Sequence, residues 1–287
     1  MCEFCMKHGE GKKWYLEAKN YSEDLLSDMR RVKFIREFFK EIPTTAEMNK
    51  GFASLDKAPG FVRRAMTRRI VRKYQKIHFG QVVPIEEIEQ ILGFVNSIVR
   101  VACICRYQTL GKEKRYCYGV SMGPNGGKFG EIIQDMDKSF ASGPHSWGVE
   151  IVAKAEALAS MKEYEKEGLC HTVWIFQAPF IGGICNCDRS DCLALKTSVT
   201  HNLPMMFRAE YVAEIQQDLC SGCRNCMRVC QFGALAYSAA TKTAFIDQKH
   251  CYGCGICRSV CTKDAIVLKD RVQVPDAARR WLAGAMI

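Results

Sequence analysis

Two runs of four cysteines dominate the chemistry open to this sequence: Cys220-x2-Cys223-x2-Cys226-x3-Cys230 and Cys251-x2-Cys254-x2-Cys257-x3-Cys261. Corresponding cysteines lie 31 residues apart throughout, and each run is followed at the same distance by Ala234 or Ala265 and then an aliphatic residue. The stretch is an internal repeat. Thiolates are soft ligands that suit iron–sulfur clusters and zinc rather than calcium or magnesium. A tight turn with cysteines three apart wraps three sulfurs around one centre, as a cubane with four thiolate-bearing corners needs. Paired C-x-x-C motifs also suit a zinc site. Two complete four-cysteine runs in tandem argue against it.

The repeat resembles the bacterial two-cluster ferredoxins over roughly residues 207–270, about a fifth of the chain. The resemblance implies two [4Fe–4S] clusters and one-electron transfer, with the fourth cysteine of each run crossing to the other cluster. The implied ligands are Cys220, Cys223, Cys226 and Cys261 for one cluster. Those for the second are Cys230, Cys251, Cys254 and Cys257. Gly222, Gly253 and Gly255 fit the close approach of backbone N–H groups to cluster sulfurs. The family usually places proline after each fourth cysteine, whereas Gln231 and Thr262 stand here. Proline supplies no ligand, so the departure bears on turn geometry and on any potential carried over from the family.

Nine further cysteines lie upstream. Cys103, Cys105 and Cys117 precede the string GGICNCDRSDC, which holds Cys185, Cys187 and Cys192 and reads as a metal-binding loop. The strings VACICR and GICNC also resemble a region of larger ferredoxin-domain proteins of anaerobes, which join it to a C-terminal two-cluster module. A third iron–sulfur cluster or other metal is therefore a candidate here, with Cys185, Cys187, Cys192, Cys105 and Cys117 as its ligands and Cys103 as a further one. The competing reading is that several are small buried hydrophobes, which suits Cys103 and Cys170. Cys2-x-x-Cys5, with His8 nearby, is a weaker candidate for half a site or a redox pair.

The elements that must position these residues predict an α+β chain: a helical N-terminal domain with a small sheet, then the ferredoxin-like module. Helices are expected over 22–42, with Ser22 as N-cap, over 61–78, from Pro84 to about 96, and over 148–167 with Gly168 as its cap. Strands are expected at 97–105, 116–122 and 170–176. The domain boundaries are placed at 1–205, 206–270 and a tail helix over 271–287. The glycine-rich loop 121–130 does not match a phosphate-binding spacing and reads as a flexible connection. His145 and His171 read as structural.

The net charge is +10, and residues 1–80 hold 18 Lys+Arg against 10 Asp+Glu. In the 61–78 helix, Val62, Met66, Ile70, Tyr74 and Ile77 form one expected apolar face, surrounded by arginines and lysines. That basic surface reads as a solvated helix face, or else as a dock for an acidic redox partner, an anionic ligand or peripheral contact with an anionic membrane. No base-reading module is present, so nucleic acid is not expected as a partner. No apolar run suits a membrane span or signal peptide, and many thiols at metal-binding spacings suit a reducing cytoplasm.

The leading expectation is an electron-transfer subunit or partner of a larger redox enzyme in an anaerobe. The runner-up is an oxidoreductase with its own active site or third cluster upstream. A redox sensor or adaptor is a third reading.

Overall fold

The computed structural model describes residues 12–40, 45–135 and 149–282. Cys2, Cys5, His8 and His145 lie outside the described residues. The first described segment runs through short 3-10 turns into α1 (Met29–Lys40). The single helix expected over 22–42 is broken because two capping residues compete for its start. Ser22 Oγ accepts the Asp24 N–H, and Asp28 Oδ1 accepts the Arg30 N–H and opens α1 instead.

Next come α2 (Thr45–Asp56), α3 (Gly60–Ile77), β1 (Gly80–Val82), α4 (Ile85–Phe94) and β2 (Ser97–Val101). They are followed by α5 (Ile104–Leu110), β3 (Cys117–Ser121), α6 (Gly127–Gln134), β4 (Val149–Val152) and α7 (Lys154–Lys166). The unit closes with β5 (Cys170–Ile175), β6 (Ile181–Cys187), α8 (Leu193–Thr200) and β7 (Met206–Phe207). These strands form one seven-stranded sheet in the order β4-β2-β3-β6-β5-β1-β7. Every pairing is antiparallel except β1 with β7.

The chain is mixed helix and sheet, but its sheet is larger than expected. Residues 149–152 start no helix, because Val149, Ile151 and Val152 pair with β2. The expected strand at 97–105 ends at Val101, and Cys105 lies on α5. Most of the expected metal loop is strand: β6 gains its conformation by pairing with both β3 and β5. Met206 pairs with Gly80, so the sheet reaches past the expected boundary at 205. In the tail, Arg271–Gln273 form a 3-10 turn and residues 275–279 form turns, with no α-helix among the described tail residues.

Alternation along the strands separates two faces. Ile98, Tyr118, Val120, Val173 and Ile184 face one core, with Val71 of α3, Ile91 of α4 and Met161 of α7. The opposite face carries Val99, Val101 and Phe129 at one end and Cys170, Trp174 and Cys187 at the other. The α3 stripe matches the expected one only in part: Ile70 packs against the core, but Thr67 and Val71 are the buried positions, whereas Met66 is 45% exposed and Tyr74 36%. The large sheet takes the helix along a line one residue further round.

The glycine-rich loop is ordered. Glu23 Oε1 accepts from Lys128 N–H and Ser121 Oγ at 2.9 Å, so this carboxylate already occupies the amide end of α6.

Candidate metal centres

The cysteine repeat folds as two copies of strand, loop, short helix and strand. The first holds β8 (Tyr211–Ile215), α9 (Asn225–Val229) and β9 (Leu235–Ser238). The second holds β10 (Thr243–Ile246), α10 (Ile256–Ser259) and β11 (Ile266–Asp270). The copies exchange strands: β8 pairs with β11, and β9 with β10. That exchange brings the fourth cysteine of each run beside the first three of the other. Cys220, Cys223, Cys226 and Cys261 line one cavity of about 360 Å³, with Ile215, Val260 and Ile266 among its walls. Cys230, Cys251, Cys254 and Cys257 line a second, of about 340 Å³.

Loop curvature depends on glycine at equivalent places. Gly222 (φ +69°) and Gly253 (φ +72°) are left-handed, and an added Cβ would lie 2.1 Å from Lys242 O or 2.0 Å from Tyr211 O. No other residue fits without moving the backbone. In the second cavity the N–H groups of Ala213 and Gly253 both donate to Cys251 Sγ at 3.4 Å.

The donor set fits a cationic metal core. Burial pushes the Cys226 thiol up to about 11, with Cys223, Cys261 and Cys220 adding to the rise. Burial also pushes Cys254 and Cys257 well up. Four crowded thiolates in an apolar cavity need a positive core to remain deprotonated. Among the described residues, no group of three or more His, Cys, Asp or Glu side chains is arranged to hold a metal ion. Cluster ligands meet a different requirement, because a cubane takes its thiolates at separate irons.

The two cavities differ in setting. Cys223 is exposed in the first, the outer one, whereas Cys251, Cys254 and Cys257 are all buried in the second, the inner one. Over the inner cavity, Tyr252 stacks on Phe232 at 3.9 Å. Arg271 is fully buried beside it. Its Nε donates to Ala209 O, and its Nη2 donates to Tyr211 O and Cys251 O at 2.7 and 3.0 Å. Its Nη1 has no hydrogen-bond partner. Burial pulls this guanidinium down to about 10. A buried cation with a free donor beside Cys251 suits a site of net negative charge.

The inner cavity is also the end joined to the sheet. The Gln231 amide donates to Gly168 O and accepts from Arg189 N–H at 2.7 and 2.9 Å. Arg258 at α10 pairs with Glu86 at the start of α4, 2.7 Å away. One hydrophobic cluster holds Phe232, Tyr252 and Cys254 together with Cys170, Cys187 and Cys192.

The upstream cysteines converge as well. Cys103, Cys105, Cys117, Cys185, Cys187 and Cys192 all line one cavity on the sheet face opposite α3 and α4. The sheet register accounts for half of them: Cys117 lies opposite Cys185, and Cys187 is two residues on along β6. Cys103 and Cys105 arrive at the start of α5, and Cys192 is the N-cap of α8. Cys192 and Cys187 sulfurs stand 3.2 Å apart. Hydrogen bonds from Cys105 and Cys187 hold the Cys192 thiol well below its usual range.

Arg106 closes one side of this cavity. It donates to Asn186 O at 3.0 Å, pairs with Asp188 and lies 4.6 Å from the Tyr116 ring centroid. Its Nη1 is 3.8 Å from Cys103 Sγ, and Tyr116 N–H donates to that sulfur at 2.9 Å. The remaining wall is aromatic, with Phe38, Phe129, Trp174 and Phe176.

All five expected third-site cysteines thus share one cavity, and Cys103 joins them rather than merely filling the core. Cys170 lies outside the lining, as a buried neighbour of Cys187 across the β5–β6 pair. Sequence reasoning missed Arg271, which no short motif marks, and noted Gln231 only as a departure from the family's proline, without its contacts. Arg106 stood in the CICR string but was assigned no role. His171 is structural as expected, with Nδ1 2.6 Å from Asn186 Oδ1.

No helix among the described residues is long and apolar enough to cross a membrane. No curated protein was found to match the chain. A family model for the 4Fe-4S dicluster domain matches residues 219–266, the span that holds both cysteine runs. The match supports a 4Fe–4S ferredoxin-type domain in the C-terminal part of the chain.

Proposed function

We propose that the chain is an electron-transfer protein with two [4Fe–4S] clusters, working as a subunit or partner of a larger redox enzyme in an anaerobe. Cys220, Cys223, Cys226 and Cys261 would hold the outer cluster, and Cys230, Cys251, Cys254 and Cys257 the inner one. The observation that carries this reading is the sorting of eight cysteines into two separate four-cysteine cavities. When bound, such clusters take up and release single electrons. The chain's own contribution is to exclude water from the inner site, to expose Cys223 at the outer one, and to place Arg271 as a counter-charge.

The domain limits follow the packing. The sheet domain extends to Phe207, the cysteine module follows to Asp270, and the tail turns back so that Arg208 N–H reaches Trp281 O at 2.9 Å. The redox partner would dock at the outer cavity. Arg224 and Lys263 line it and are exposed, with Lys242 next to Gly222. The lining holds the cations Arg224 and Lys263 and no carboxylate, so an acidic partner surface is favoured. The basic α3 adds longer-range steering. A cytoplasmic setting fits oxygen-sensitive thiolate sites.

The test is anaerobic purification followed by iron and acid-labile sulfide counts and an EPR spectrum of the reduced protein. About eight irons in the ferredoxin module, with the coupled signal of two reduced cubanes, supports the reading. Zinc in place of iron would sink it.

A second reading, an oxidoreductase with its own centre, is favoured by one observation. Six thiols and an aromatic wall surround a cavity beside the inner site, which is more than electron transfer alone requires.

A further inference from the structure

We propose that Cys103, Cys105, Cys117, Cys185, Cys187 and Cys192 supply the ligands of a third iron–sulfur cluster, seated on the bare centre of the sheet and next in line after the inner ferredoxin site. The proposal deepens the second reading above and borrows the inner cluster from the first.

Four separate segments converge to make the site: β3, β6, the start of α5 and the start of α8. Such convergence needs a reason, because none of these sulfurs is required to cover the sheet. Gly119 and Gly183 pair directly across β3 and β6 and leave the strands without side chains next to Cys117 and Cys185. The cavity holds a void of about 80 Å³. A packed core would fill such a space with branched side chains. Here it is ringed by sulfur on one side and aromatic carbon on the other.

The donor chemistry selects the occupant. The sulfur side carries neither carboxylate nor imidazole: the imidazole in the lining, His78, stands in the aromatic wall with its Nδ1 on Ile175 O at 2.8 Å, and nearby Asp188 is engaged by Arg106 and Ser190. A thiolate-only set selects soft metals. Single-ion zinc needs four ligands meeting at one point, and no such group exists among the described residues. A cluster takes its four thiolates at separate irons, and six sulfurs, two of them (Cys187 and Cys192) 3.2 Å apart, supply more than that number. Arg106, only 2% exposed, supplies the buried positive charge that an anionic cluster calls for.

Placement supplies the second argument. Cys170 pairs across the sheet with Cys187 and shares one hydrophobic cluster with Cys254 of the inner site. The same cluster includes Cys192, with Cys105, Cys185 and Cys230 packed against it. Buried apolar side chains thereby link the two sites. A single electron moving along it oxidises one site as it reduces the other, with no proton or bond change.

The test uses the full chain, purified and reconstituted with iron and sulfide without oxygen. We expect about twelve irons and twelve sulfides per chain, falling to about eight in Cys187→Ser/Cys192→Ser. The ferredoxin EPR signal must persist in that variant, which checks its folding. Should the double variant not fold, Cys105→Ser is the second probe, and the extra spectral component must weaken selectively. About eight irons in both wild type and variant overturns the proposal and leaves the ferredoxin reading intact. About four irons in the wild type, all lost in the variant, upholds the third cluster and sinks the ferredoxin reading. One zinc per chain beside about eight irons overturns it in favour of a single-ion site.

Discussion

Gln231 donates its side-chain amide to the carbonyl of Gly168 across 2.7 Å, while its own oxygen accepts the Arg189 N–H at 2.9 Å. The ferredoxin family resembled here usually carries proline at this place, directly after a cluster cysteine. In this chain the position has become a joint, tying the Cys230 loop to both the end of α7 and the turn after β6. Replacing Gln231 with Ala should cost about 1–2 kcal/mol, as one half-buried and one exposed hydrogen bond are lost. Hydrogen exchange should quicken around residues 168–169 and 189, with iron content unchanged. Loss of iron instead would mean that Gln231 serves ligation and not the joint.

Outer and inner cysteines should respond differently to removal. Cys223→Ala is expected to lose about four irons and leave the sheet–module joint intact, because Cys223 is exposed. Cys254→Ala should lose a similar amount and also loosen the packing around Phe232 and Tyr252. Iron analysis with near-ultraviolet circular dichroism separates the two outcomes. Equal spectral damage from both variants would count against the outer and inner assignment.

Arg271 should set the inner potential. Its buried positive charge favours the more negative, reduced state, so Arg271→Met should lower the inner midpoint by several tens of millivolts, an order-of-magnitude Coulomb figure. Arg271→Lys keeps the charge and should largely restore it. Redox titration followed by EPR gives the comparison. A matching shift in Met and Lys variants would assign the effect to lost hydrogen bonds rather than charge.

His78 gives a pH prediction. Its ring is enclosed by Phe38, Trp174 and Phe176, and its Nδ1 faces Ile175 O at 2.8 Å. Burial pulls it down to about 4, against the upward pull of that carbonyl. Between its unfolded value near 6.5 and that figure, the unfolded chain takes a proton that the folded chain refuses. Stability should therefore fall as pH drops through this window, by about 1 kcal/mol per unit, and stay flat above it. Denaturant titrations of wild type and His78→Phe between pH 7 and 5 measure the difference, which should vanish in the variant.

Charge at the outer cavity should govern partner docking. Reversing Arg224 and Lys263 to Glu should slow electron uptake from an acidic donor severalfold at low salt and much less at high salt. Stopped-flow rates across ionic strength report this directly. Salt-independent rates in the wild type would rule out electrostatic steering.

The cysteine spacing by itself determined the C-terminal domain, because a cluster turn is local: three sulfurs, a left-handed glycine and a short helix lie within one loop. The cross-over of fourth cysteines was implied by the ferredoxin resemblance, and the strand exchange of β8 with β11 and β9 with β10 brings each fourth cysteine into the cavity of the other run. Helix positions at α3 and α4 followed from periodicity and Pro84. Contacts between segments distant in sequence were decided only by the tertiary structure. The strand nature of β6 depends on partners on both sides, since Gly182, Gly183 and two cysteines carry little strand preference of their own. Cys103, indistinguishable from a core residue in VACIC, enters the six-thiol cavity only because α5 starts beside β3. Arg271 shows no local pattern at all, and Gln231 only the absence of the family's proline. Their roles arise from carbonyls and sulfurs that folding brings within hydrogen-bond reach, and no spacing along the chain records that.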